Sequence, residues 1–289
     1  MDLFGTIALE QRAYLRAAAL RAAHELRLEE ALPGSAAEAA RKLELPGARR
    51  LRRLLDVLAV LGLARRAGEI FHFHSQPYEN VGGAWGELAS VIRSGKPLET
   101  PEAEDALRRF HGYLQSAGAS PARELWQKVP ALGPLLDLGG GTGAYTAAFL
   151  EAHPGEEAIL ADQPEVLKLA NVPGAQLLRL DILNTASFPA AGSVLLANVL
   201  HLFGEQDCRE LLRKAAAAGK LVIVKDLLVE PDRSGPAEGV FFALNMALFT
   251  AEGDVHDPQA LASWMSASGL RDIRRVPLGT SLVLTGTSP

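Results

Sequence analysis

The chain of 289 residues contains a single cysteine, Cys208, so it forms no internal disulfide and builds no cysteine-based zinc site. It lacks an excess of positive charge: 29 Lys and Arg stand against 34 Asp and Glu, a formal net charge of -5, which argues against a dedicated nucleic-acid binder. Nowhere does an apolar run approach the roughly 20 residues that cross a bilayer. The opening Met1-Asp2-Leu3-Phe4-Gly5 carries an acid and no secretory pattern, so a cytoplasmic protein without a membrane partner is expected. Internal repeats and low-complexity tracts are missing too. What remains is 48% hydrophobic and 22% charged, the composition of a globular chain long enough for one large or two ordinary domains.

The N-terminal part is helical in pattern. Ile7 to Leu28 has neither Gly nor Pro and spaces its apolar residues as a helix does. Pro33-Gly34-Ser35 interrupts it, and Ser35 with Glu38 forms the sequence of a capping box for a helix from Ala36 to Leu43. A second helix, Arg49 to Leu63, carries the stripe Leu51, Leu54, Leu55, Leu58, Leu61, and after it Ile70 to His74 alternates as a strand. Helix, turn, helix and strand predict a mainly α winged-helix domain over 1–78. The cluster Arg49, Arg50, Arg52, Arg53 is a possible phosphate-facing surface, but Glu44 and Asp56 dilute it and a solvated helix face is the better reading. His72 and His74 have no third ligand nearby, and no metal site is expected. Residues 79–128 read as a linker of short helical pieces that contributes aromatic side chains, Phe110 among them, and Leu114 to a pocket.

Over 129–289, apolar strands alternate with helical stretches: Leu135 to Leu138, Ala158 to Ala161, Gln176 to Leu180, Val194 to Ala197 and Leu221 to Lys225. This predicts an α/β fold, a Rossmann-like doubly wound sheet. It ends in an antiparallel hairpin, Arg271 to Val276 and Ser281 to Thr285. The first strand runs into Gly139-Gly140-Gly141-Thr142-Gly143, a turn with no Cβ to keep a ligand from the backbone and a helix start beyond it. Gly139, Gly141 and Ala144 also satisfy the dinucleotide spacing, so the glycines alone do not choose a cofactor. The acids do. Asp137 precedes the turn, where it suits a cationic amino group and opposes a diphosphate. Asp162 ends the second strand, placed for ribose hydroxyls, and Asp181 ends the third, placed for an adenine amine with Ile182 against the ring. A cofactor with an aminoacyl cation, a ribose and an adenine but no phosphate is S-adenosylmethionine.

Asp137 to Gly143 resembles motif I of class I methyltransferases. Asn198-Val199-Leu200-His201, with Glu205-Gln206-Asp207-Cys208 and Leu211-Leu212, resembles the small-molecule O-methyltransferases that include acetylserotonin, caffeate and antibiotic-tailoring enzymes. The resemblance implies a winged-helix domain that makes a homodimer, a hydroxylated aromatic or quinone-like acceptor, Asn198 beside the cofactor, and His201 as general base, since an imidazole can take a phenolic proton as the methyl moves. By the same resemblance Asp226 orients His201. The family's second supporting acid falls near Glu252 to His256, where His256 replaces it, with Glu252 or Asp254 as alternatives. Leu202-Phe203 and Ala197 also depart from relatives, which carry Asp-Trp and a lysine. Phe242 and Met246 on a helix from Gly239 to Phe249 are expected to roof the acceptor pocket. Two other functions remain open here: hydroxylation or decarboxylation on the same cofactor-binding fold, and a ligand-sensing transcription regulator.

Overall fold

The computed structural model describes residues 17, 20–60, 62–73, 91, 94–99, 104–279 and 281–289; the expected positions Ile7, His74 and Trp85 lie outside them. The chain divides into two units, 1–90 and 91–289.

In the first unit the helix expected to run to Leu28 stops earlier. Arg27 takes a left-handed conformation, φ 54°, and a separate turn of helix, α1, spans Leu28–Ala31. Strand β1, Gly34–Ser35, leads into α2, Ala36–Lys42, where the Ser35 hydroxyl accepts from the Glu38 N–H and Glu38 reaches back to the Ser35 N–H, the expected capping box. Helix α3, Ala48–Val60, and the hairpin β2, Ala64–Ala67, and β3, Ile70–Phe73, complete the unit, with β1 pairing antiparallel to β3. Leu51, Leu55, Leu58 and Phe71 are buried together with Ala36, Ala39 and Ala40 of α2. Arg52 is drawn into ion pairs with Asp56 and Glu69, and Arg66 joins the same acids, so part of the basic cluster is neutralised within the unit.

In the second unit Glu104–Lys128 form one helix, α4, where the sequence pattern suggests short pieces; Pro121 lies inside it. Apolar burial decides the matter. Ala122, Leu125 and Trp126 pack on Tyr145, Ala148 and Phe149, and the Trp126 indole N–H donates to the Tyr145 carbonyl at 2.9 Å. Strand β4, Leu135–Leu138, is buried at every position, as a central parallel strand must be. Then follow α5, Ala144–Ala152; β5, Ala158–Asp162; α6, Pro164–Leu167; β6, Ala175–Arg179; β7, Ala191–Ala197; α7, Glu205–Ala218; β8, Gly219–Leu227; α8, Ala237–Phe249; α9, Pro258–Ala267; β9, Arg271–Arg275; and β10, Ser281–Thr287.

The sheet order is β6-β5-β4-β7-β8-β10-β9. Strands β4 to β8 run parallel, and β10 is antiparallel to both β8 and β9. The chain winds outward from β4 in one direction and returns from β7 in the other, so the switch point lies between β4 and β7, where open α/β sheets place ligands. Register divides the central strands by face. Leu135, Leu195, Ala197, Ile223 and Val283 pack with α4 and α5, while Leu136, Leu138, Val194, Leu196, Val222, Val224 and Leu282 pack with α7 and α9. Among the described residues no helix is long and apolar enough to cross a membrane.

Candidate active site

The glycine turn leaves β4 at its C-terminal end, on the switch-point side. Gly139, Gly141 and Gly143 have φ of 66°, 62° and 91°. A Cβ at Gly140 would lie 2.4 Å from Leu160 Cδ1 and 2.7 Å from Asp137 Oδ2, so the absence of a side chain there is a demand of packing. At Gly141 the nearest atom to a Cβ would be His111 Nδ1 at 3.7 Å, and here the missing side chain keeps the approach open. The Gly141 N–H donates to Asp162 Oδ2 at 2.7 Å, which ties the expected ribose carboxylate at the end of β5 to the turn. Ile182 lies close by, its Cδ1 3.9 Å from where a Gly139 Cβ would stand. Asp181 is turned into its own loop: it accepts from the Leu183 and Asn184 N–H groups and the Asn184 amide, and these bonds hold its pKa below the usual range.

Asp137 is completely buried beneath the turn. Its Oδ2 accepts from the Thr146 hydroxyl at 2.6 Å, and its Oδ1 has no partner. Burial pushes its pKa up to about 7, against the opposing pull of Thr146. A buried carboxylate with an orphan oxygen is costly unless something cationic completes it. The glycine turn, this orphan oxygen and Asp162 therefore fit an adenosyl cofactor with an aminoacyl cation. Thr146 and Tyr145 were not singled out by sequence, because a first-turn Thr or Tyr in a helix looks like ordinary helix composition.

Beyond β7, Asn198 takes φ 57° and ends the strand, and Leu200–Leu202 form a single 3₁₀ turn that carries His201. His201 is 5% exposed and Asp226, in β8, 4%. The His201 Nδ1 lies 2.6 Å from Asp226 Oδ1, and the His201 backbone N–H donates to Asp226 Oδ2 at 3.2 Å. A carboxylate only accepts, so Nδ1 carries the proton and Nε2 is left as the basic lone pair. Burial would raise the Asp226 pKa, but His201, the Leu227 N–H and Lys225 outweigh it and hold the carboxyl below its ordinary value. Phe242 meets the His201 ring edge-on, 4.9 Å between centroids, and Met246 is buried one turn along α8. The side chains of Phe110 and Leu114 lie outside the described residues.

His256 differs from its expected role. Its Nε2 stands 3.0 Å from the Phe203 carbonyl and 3.2 Å from the Leu200 carbonyl, so this nitrogen is a donor to the backbone of the His201 turn. Cys208 Sγ is 3.4 Å away and Trp264 packs edge-on. His256 thus grips the turn from behind and does not support the imidazole of His201. Of the alternatives, Asp254 is paired with Arg233 and Glu252 packs over Gly204. Gly253 was not foreseen: a Cβ there would lie 2.6 Å from the His201 carbonyl, so only glycine lets the loop close against the turn. Lys225 also belongs to the site, and its signal in the sequence is a lysine directly after the apolar run Leu221 to Val224, within the strand. Among the described residues no group of three or more His, Cys, Asp or Glu side chains is arranged to hold a metal.

The O-methyltransferase domain family matches residues 121–271, which hold β4 to α9 and every site residue of the sheet. The chain is 25% identical over 282 residues to the tetracenomycin polyketide synthesis 8-O-methyl transferase of Streptomyces glaucescens, covering 82% of both chains. It is 30% identical over 218 residues to the acetylserotonin O-methyltransferase of Macaca mulatta, covering 66% of this chain and 63% of that protein. In fold it superposes on human N-acetylserotonin methyltransferase, solved in complex with S-adenosylmethionine, with a TM-score of 0.77, 23% identity and coverage of 100% and 98% of the two chains. An O-methyltransferase family protein of Burkholderia thailandensis gives a TM-score of 0.82 at 21% identity, covering 100% of this chain and 98% of that one. With a glycine turn fitted to an adenosyl cation at one end of the crevice, a buried His–Asp pair at the other, and this match over more than half its length, the chain belongs to the O-methyltransferase family.

Proposed function

We propose that the protein methylates a hydroxyl group of a small aromatic or quinone-like molecule with S-adenosylmethionine as donor. The observation that carries this reading is the buried His201–Asp226 pair, set beside the glycine turn at the C-terminal edge of the sheet. The bound sulfonium supplies an electrophilic methyl group. Asp137 and Asp162 would hold the donor, whose sulfonium would give up its methyl group and leave as the thioether, and His201 Nε2 would take the proton of the acceptor hydroxyl. Asp226 holds the Nδ1–H tautomer and stabilises the imidazolium that results. Phe242 shields the pair from water and offers a flat apolar wall to a flat acceptor. Most of the rate comes from alignment of oxygen, carbon and sulfur, with the base adding about 10² to 10⁴.

The test is a screen of phenols, hydroxynaphthoates, quinols and hydroxyindoles for a mass gain of one methyl group. His201→Ala should then cut turnover by about 10² or more. Affinity for S-adenosylhomocysteine should stay within about twofold, because His201 sits on the acceptor side. Full turnover in His201→Ala would remove the base from the mechanism, and a product lacking the new methyl would favour hydroxylation or decarboxylation. The reading extends to a homodimer formed through 1–78, supported by the resemblance of that region to a dimerisation module. Light scattering of the intact protein tests it, with a monomer as the contrary result.

A further inference from the structure

Lys225 is a buried cation that the proton transfer does not use. It is 7% exposed, and its Nζ donates to Asn198 Oδ1 at 2.7 Å, an uncharged acceptor. An ammonium has three donors, and no anion within ion-pair distance serves the other two among the described residues. Asp226 is its neighbour in sequence but lies on the other face of the sheet, with its oxygens committed to His201 and the Leu227 N–H. Burial accordingly draws the Lys225 pKa down, with Asp226 opposing only in part.

Register shows what Lys225 does face. Asp137 pairs with Leu195, Leu195 with Ile223, and Ala197 with Lys225, so Asp137 and Lys225 share the α4/α5 face, separated by the single strand β7. Tyr145, at the start of α5 and packed on the same face, lies within reach of Asn198 and in the field of Asp137. Near the switch point lie a buried carboxylate with an orphan oxygen, the buried Tyr145, the half-buried Asn198 and a buried ammonium with donors to spare. Two opposite charges a strand apart, both incomplete, match a ligand group that carries both charges on one carbon.

We propose that Lys225 binds the carboxylate of the methyl donor's aminoacyl end, so that with Asp137 it forms a clamp for the α-amino acid zwitterion. This rests on the adenosyl donor proposed above. Lys225 thereby acts on donor affinity, and its place on the face opposite Asp226 separates it from the acceptor hydroxyl.

The test is calorimetric binding of three ligands to the intact protein: S-adenosylhomocysteine, its decarboxylated analogue, and methylthioadenosine. Wild-type protein should prefer S-adenosylhomocysteine to the decarboxylated analogue by at least about tenfold, the scale of one charge-assisted bond. Lys225→Met, which keeps the stem, should lose that preference while binding methylthioadenosine within about twofold of wild type. Lys225→Gln serves if the methionine variant does not fold. Equal wild-type affinity for the carboxylated and decarboxylated ligands overturns the proposal without any variant. So does a variant whose only change is a raised KM for the acceptor. Failure of all three ligands to bind wild-type protein would instead overturn the donor itself.

Discussion

At the scale of single residues, the fold leaves two buried charges, Asp137 and Lys225, without a charged partner among the described residues. The Asp137 carboxyl is raised to about 7 because burial outweighs its one hydroxyl bond. A cation can be bound only by the ionised form, so donor affinity should fall as pH drops below about 7, by about tenfold per unit in the limit. Titrations of S-adenosylhomocysteine from pH 8 to 5.5 check this, and Asp137→Asn should bind weakly with no such slope. The sign for stability is opposite. A carboxyl whose folded pKa lies above its unfolded value of about 4 contributes stability below pH 4 that is lost as pH rises through about 7. Asp137→Asn should therefore melt higher than the wild type at pH 8, with the gain shrinking towards pH 4. At the other end of the crevice, Asp226→Asn keeps the shape of the side chain but frees the tautomer of His201. Turnover should fall by on the order of 10² or more with little change in donor affinity, read from single-turnover rates beside calorimetry.

At the scale of elements, the 3₁₀ turn Leu200–Leu202 is short and depends on its neighbours. His256 donates to the carbonyl of Leu200 within it and of Phe203 just after it, and Gly253 permits the loop before α9 to close against it. Replacing His256 by Ala removes a donor from both carbonyls, although the Leu200 carbonyl keeps the Phe203 N–H, and should cost about 0.5–1.5 kcal/mol of stability. It should also lower kcat more than it raises the donor KM, whereas a purely structural role would lower the melting temperature alone. Gly253→Ala forces a Cβ to within 2.6 Å of the His201 carbonyl and should cost about 1–3 kcal/mol, with turnover falling in step. Elements also show where pattern and structure part. The strands of the sheet were legible because parallel strands are apolar without interruption, and the capping box was legible because it is local chemistry. Helix α4 was not, since its continuity comes from Leu125 and Trp126 packing on α5, and Pro121 argues locally against it.

At the scale of the whole molecule, the two units carry separate cores. Leu51, Leu55, Leu58 and Phe71 belong to the first, and the two faces of the seven-stranded sheet to the second. Every described group proposed to bind the donor lies in the second unit. Residues 91–289 expressed alone should unfold cooperatively and bind S-adenosylhomocysteine within about tenfold of the intact protein, as calorimetry would show. Loss of binding with a retained fold would mean that the first unit shapes the donor site.

By itself, the sequence determined the order of strands and helices, the glycine turn, the acids at three strand ends and the histidine after β7. These are written in periodicity, in glycine's missing Cβ and in charges at the ends of apolar runs, all readable from neighbours along the chain. Which atoms meet was decided by the tertiary structure. The parallel pairing of β7 with β8 brings Asp226 to His201 from 25 positions away, and the fold turns His256 onto the backbone of the turn instead of the reacting face. The alternation of side chains across the sheet puts Lys225 with Asp137, apart from its own neighbour Asp226. Partner and face depend on register and packing between distant segments, and no local spacing records them.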